Sequence, residues 1–146
     1  MNFFIHLVVY FETTSRYDII CSDYLMKVLH IDDAPEICEL YADMFAIDEH
    51  EVQSTNTAQE GLDLALKNDY DLILLDLCMP KYGGMNFLRD LKNKRPSELR
   101  KVIVVSVLQM TPNQTKELKK MGIHSVEEKP TNLQQLENIK KNAWLK

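Results

Sequence analysis

Leu72, Ile73, Leu74 and Leu75 run without polar alternation into Asp76, and the Met79-Pro80 step then breaks the regular structure. A strand apolar on both faces belongs in a parallel sheet covered by helices on each side. Lys27 to Ile31 repeats the pattern and ends in Asp32-Asp33, and Lys101 to Ser106 repeats it again and ends in a hydroxyl. Shorter strands are predicted at Glu51 to Ser54 and around His124 to Glu128. Helical periodicity fills the gaps between them. After Pro35, suited to a first helical position, Ile37, Leu40, Tyr41, Met44 and Phe45 recur at i, i+3, i+4, i+7 and i+8. Thr57-Ala58-Gln59-Glu60 reads as a capping box opening a second helix, with Ala58, Leu62, Ala65 and Leu66 turned inward. Gly83-Gly84 leads into a third carrying Met85, Leu88 and Leu91. Thr111, Pro112 and Gln114 open a fourth, which Gly122 ends, and Thr131 to Gln134 open a fifth with Leu133, Leu136, Ile139 and Ala143 on one side.

Strands alternating with single helices require right-handed crossovers, so the pattern predicts an α/β fold: one domain over residues 26–146 with an open, five-stranded parallel sheet. A barrel would need about 250 residues. The apolar content of 45% is enough for a real core, and no internal repeat or linker interrupts the series. Residues 1–25 stand apart as an N-terminal extension. Its run Phe3 to Phe11 falls short of the about 20 residues a bilayer span needs, and no Lys or Arg precedes Arg16 as a signal peptide would require. An added strand, a dimerising arm, a segment outside the domain and an upstream start all remain open for it, since Met26 directly precedes the first convincing strand.

A net charge of −5, from 17 basic and 22 acidic side chains, argues against nucleic acid or a membrane surface as partner. Cys21, Cys38 and Cys78 fit no zinc spacing and read as reduced thiols of a cytoplasmic protein. More informative is where the polar residues fall. In a parallel sheet Asp32, Asp33, Asp76, Ser106 and Lys129 all stand at strand carboxyl ends, where such sheets place their chemistry. Each close carboxylate pair at 4 Å costs about 4 kcal/mol at an effective dielectric near 20. A hard divalent cation offsets that cost, and Mg²⁺ suits a site offering a few carboxylates and open positions for water or phosphate oxygens. The competing readings are helix capping for Asp32-Asp33, and for Lys129 a solvated lysine beside Glu127 or Glu128.

Taken in order, strand-Asp32-Asp33, Asp76-x-x-Met79-Pro80 with Gly84, strand-terminal Ser106 and Lys129-Pro130 resemble the receiver domain of two-component response regulators. The resemblance covers residues 26–146. It implies the flavodoxin-like fold with strand order 2-1-3-4-5, and phosphoryl transfer to Asp76 from a sensor histidine kinase or phosphotransfer protein. It also implies Mg²⁺ held by Asp33, Asp76 and the Cys78 carbonyl with Asp32 through water, Lys129 as a mobile charge, and Ser106 as a hydroxyl donor to the phosphoryl group. The readout would be a downstream protein bound by the fourth helix, fifth strand and fifth helix, where Lys116, Lys119 and Lys120 lie. The expected protein is a stand-alone receiver, not an enzyme of the ordinary kind, with no direct nucleic-acid or membrane contact. A phosphorylation-independent adaptor on the same fold is the alternative. A phosphohydrolase of the haloacid dehalogenase type would need a second aspartate where Cys78 stands.

Several positions depart from the family pattern. Val126 replaces the aromatic residue usual three positions before the lysine, Val107 replaces the alanine usual after Ser106, and neither Cys78 nor Leu108 readily orients a hydrolytic water. These imply a long-lived phosphorylated state. The resemblance also implies a cis Lys129-Pro130 bond. His6, His30, His50 and His124 show no ligand spacing, His30 is expected to be packed, and Trp144 could pack the final helix or mark a contact.

Overall fold

A computed structural model describes residues 25–107, 109–129 and 133–144, without the side chains of 133 and 142–144. The extension's residues 1–24, Leu108, the Lys129-Pro130 bond and the Trp144 ring therefore lie outside the described residues. The described chain alternates strand and helix: β1 (Lys27–Ile31), α1 (Pro35–Ala46), β2 (Glu51–Thr55), α2 (Ala58–Lys67), β3 (Leu72–Asp76), α3 (Gly84–Lys94), β4 (Val102–Ser106), α4 (Pro112–Lys120), β5 (Ser125–Glu128) and α5 (Leu133–Trp144). All strand pairs are parallel and the order is β2-β1-β3-β4-β5. The fold is flavodoxin-like. A 3₁₀ helix, Pro96–Lys101, shortens the start of β4 by one residue relative to the sequence pattern.

The continuous apolar strands are explained by a core on each face. Leu29, Ile31, Ile73, Leu75, Val102 and Val104 pack with α2, α3 and α4, whereas Val28, Leu72, Leu74, Ile103 and Val105 pack with α1 and α5. β3 and β4 are buried along their whole length. At about 25 cal/mol per Å² such two-sided burial is the main favourable contribution to folding. His30 belongs to the second face. It is fully buried and stacked on Tyr41, with ring centroids 4.4 Å apart. Burial holds its imidazole down at about 4; the charge of Asp32 pulls the other way, and that of Lys129 adds to the depression.

Two expected core positions point outward. On α1 the buried residues are Cys38, Tyr41, Met44 and Phe45, and Leu40, about 100° before Tyr41 around the helix, is 46% exposed. On α3 the inward row is Gly84, Phe87, Leu88 and Leu91, which leaves Met85 49% exposed. Gly84 fixes that facing. A Cβ there would lie 2.5 Å from the Asp76 carbonyl oxygen, so only glycine lets the helix start this close to the end of β3. The α2 capping box is half formed: the Glu60 N–H donates to Thr57 Oγ1, but the Glu60 carboxylate accepts from the Thr55 hydroxyl at 2.5 Å instead of turning back. The box at Thr111 and Gln114 is complete.

Candidate functional site

Register brings the polar residues together. Ile31 pairs with Leu75 and Asp76 with Val105, so Asp32, Asp76 and Ser106 leave adjacent strands at one edge of the sheet. Lys129 follows β5 directly, and its N–H donates to the Ser106 carbonyl at 2.8 Å, which ties the lysine to the end of β4.

Asp32, Asp33 and Asp76 each offer a carboxylate oxygen within 4.8 Å of the others. Asp32 is fully buried and Asp76 is 3% exposed, while Asp33 opens to solvent. The two buried carboxylates are held alike. One oxygen of each accepts a backbone N–H two residues on, from Ala34 to Asp32 Oδ1 and from Cys78 to Asp76 Oδ1, both at 3.0 Å. The other oxygen faces Lys129, whose Nζ is 2.5 Å from Asp32 Oδ2 and 3.4 Å from Asp76 Oδ2. The lysine thus pairs with the carboxylate cluster, not with Glu127 or Glu128. Burial by itself presses its ammonium down, but the hydrogen bond and charge of Asp32, with Asp76 behind them, prevail and hold it above the usual lysine value.

Three carboxylates against one ammonium leave the edge electron-rich. Hard oxygen donors this close, one of them open to water, fit the coordination habits of Mg²⁺. The Cys78 thiol is exposed, and the cysteine meets the cluster through its backbone. Ser106 is buried at the strand end. The sequence-predicted set is therefore gathered at one edge.

Two neighbours of the cluster are not marked by the sequence pattern. The Asn56 side-chain amide and the Cys38 thiol both donate to the Asp32 carbonyl oxygen, at 3.1 and 3.4 Å. The available signal is topological: β2 lies beside β1, so the loop after β2 must pass the loop after β1. Among the described residues no helix is long and apolar enough to cross a membrane.

The cell cycle response regulator CtrA of Brucella ovis is 39% identical over 67 residues, which is 46% of this chain and 29% of that protein. The chain thus matches under a third of the length of these curated relatives. Among solved structures, a response regulator receiver domain protein from Clostridium thermocellum is similar with a TM-score of 0.70 at 30% identity, covering 82% of this chain and 94% of that one. Response regulator protein TrrA from Thermotoga maritima, in complex with Mg²⁺-BeF, shares the fold with a TM-score of 0.67 at 24% identity, covering 81% of this chain and 99% of that one. Residues 28–141 match the response regulator receiver domain, and with the strand order and the acidic edge already in place, the chain belongs to that family.

Proposed function

We propose that this chain takes up a phosphoryl group on Asp76 from a sensor histidine kinase or phosphotransfer protein and signals by protein contact. The observation that carries this reading is the Lys129 ammonium set between Asp32 and Asp76 in a cluster of three carboxylates. Asp76 supplies the nucleophile. With the Cys78 N–H on Oδ1, the plane of its carboxylate is fixed and Oδ2 stays beside the lysine. An O–P bond forms as the P–N bond of the donor phosphohistidine breaks, and the imidazole nitrogen keeps the electron pair. Lys129 can exchange Asp32 for the new phosphoryl oxygens, and the Ser106 hydroxyl supplies a further donor. Asp33, Asp76 and the Cys78 carbonyl would hold Mg²⁺, with Asp32 through water; the ion supplies charge neutralisation on the phosphoryl oxygens. The Mg²⁺-BeF complex of TrrA supports this assignment by analogy of fold.

The readout face is α4, β5 and α5. Beside Val126 and Met110 it carries an open groove of about 250 Å³. Cys78, without a carboxamide or carboxylate to orient water, favours a long-lived phosphorylated state. Free thiols at Cys38 and Cys78 suit a reducing cytoplasm. Incubation with acetyl phosphate and magnesium, followed by intact-mass measurement, tests the acceptor. One added phosphoryl group, lost in Asp76→Asn and in excess chelator, is expected. An adduct that persists in Asp76→Asn would refute the assignment and favour another acceptor or an adaptor role.

A further inference from the structure

Asp33 is the least supported member of the acidic cluster. Its carboxylate is exposed and, among the described residues, makes no hydrogen bond or ion pair, whereas Asp32 and Asp76 each have a backbone N–H and the Lys129 ammonium. Yet an Asp33 oxygen lies within 4.8 Å of oxygens of both partners. With no side-chain partner among the described residues, the positions its carboxylate can reach are bounded by where the backbone puts its Cα, and so by the plane of the Asp32-Asp33 peptide.

That plane is fastened from outside. The Asp32 carbonyl oxygen accepts from Asn56 Nδ2 at 3.1 Å and from Cys38 Sγ at 3.4 Å, and the preceding Ile31-Asp32 peptide is held in turn by the Asp32 N–H, which donates to the Thr55 carbonyl at 3.1 Å. Asn56 Nδ2 also lies 3.5 Å from the Cys38 sulfur, so one amide joins the loop after β2, the loop after β1 and α1. A peptide unit is planar, and a carbonyl oxygen pinned in two directions fixes where the next N–H and Cα must lie. The amide has no capping duty in its own loop, since Thr57 caps α2.

We infer that Asn56 is a positioning residue for Asp33: by holding the Asp32 carbonyl it aims the one metal-binding carboxylate that has no anchor of its own. This rests on reading the cluster as a magnesium site. Outer partners of metal ligands are commonly worth 10- to 100-fold in affinity, and an exposed one belongs at about the lower end. A mere strut between two loops would instead affect stability and leave magnesium affinity alone.

The test is isothermal titration of the full chain with magnesium alone. The wild type is compared with Asn56→Ala, the near-isosteric Asn56→Leu, Asp33→Asn, and Asp33→Asn combined with Asn56→Ala. Both Asn56 variants should bind about tenfold more weakly than wild type. Once Asp33 is already Asn, loss of the amide should change nothing further, because the two act through one carboxylate. Wild-type affinity in both Asn56 variants, alongside weakened binding in Asp33→Asn, would overturn the proposal. So would an Asn56→Ala effect of undiminished size in the Asp33→Asn background. A wild-type chain that takes up no magnesium would overturn the metal reading itself, and the role of Asn56 with it.

Discussion

The two edges of the sheet solve the same electrostatic problem in opposite ways. At the edge where the strands begin, Arg95 lies 2.7 Å from Asp69 and 3.5 Å from Glu98, and Lys101 lies 2.7 Å from Glu98. Two cations meet two acids. Arg95 also donates to the carbonyls of Ala65 and Asn68 and so finishes α2. This cluster is complete within the protein. At the edge where the strands end, Asp32 and Asp76 share the Lys129 ammonium and Asp33 stands beside them with no ion pair among the described residues, a deficit that the proposed magnesium would fill. Charge that balances within the protein maintains structure; charge left unbalanced around buried carboxylates points to a site.

Breaking either edge should tell them apart. Lys129→Met removes the one counter-charge that the described residues set beside a fully buried Asp32, and loss of one partner of a buried pair costs about 4 kcal/mol. Denaturant unfolding in chelator should show that loss, and saturating magnesium should restore much of it. Glu98→Gln, with its side chain 7% exposed, strips both Arg95 and Lys101 at the other edge. It should cost about 3 kcal/mol, and magnesium should restore none of it.

Acid probes a third kind of burial. His30 titrates at about 4 in the fold against its ordinary 6.5, so between those values the unfolded chain binds a proton that the folded chain excludes. Stability from this group is complete above 6.5 and falls as pH drops toward 4, by about 2 kcal/mol between pH 7 and pH 5. In His30→Leu that part of the slope should vanish from unfolding curves across pH. Smallest is Asp33→Asn, which relieves repulsion among the carboxylates. In chelator it should stabilise the protein by about 1 kcal/mol, as read from the unfolding midpoint.

Much of this was legible in the sequence for physical reasons. A strand buried on both faces must be apolar at every position, so Leu72–Leu75 and Val102–Val105 declare themselves without an alternating pattern. In a parallel sheet all carboxyl ends share one edge, so the polar residue closing each run locates the site. Helix facing was less legible. Leu40 and Met85 fit an apolar period, but the angle at which a helix meets the sheet is set by neighbours such as Gly84, whose approach to the Asp76 carbonyl brings Phe87 inward. Least legible were Asn56 and Cys38, because their bonds to the Asp32 carbonyl depend on two loops from adjacent strands and on no local pattern. Glu60 shows the same limit: its spacing marks a capping box, and Thr55 at the end of β2 takes the carboxylate.

The central claim is that the charge deficit at the carboxyl edge belongs to a divalent cation poised beside Asp76. Equilibrium unfolding of the wild type with and without magnesium, in parallel with Asp33→Asn, tests it most directly. A ligand that binds only the folded state stabilises it by about 2.7 kcal/mol at a hundredfold excess over its dissociation constant. The wild-type midpoint should therefore rise with magnesium while that of Asp33→Asn rises far less. Superimposable wild-type curves in magnesium and in chelator would contradict the account.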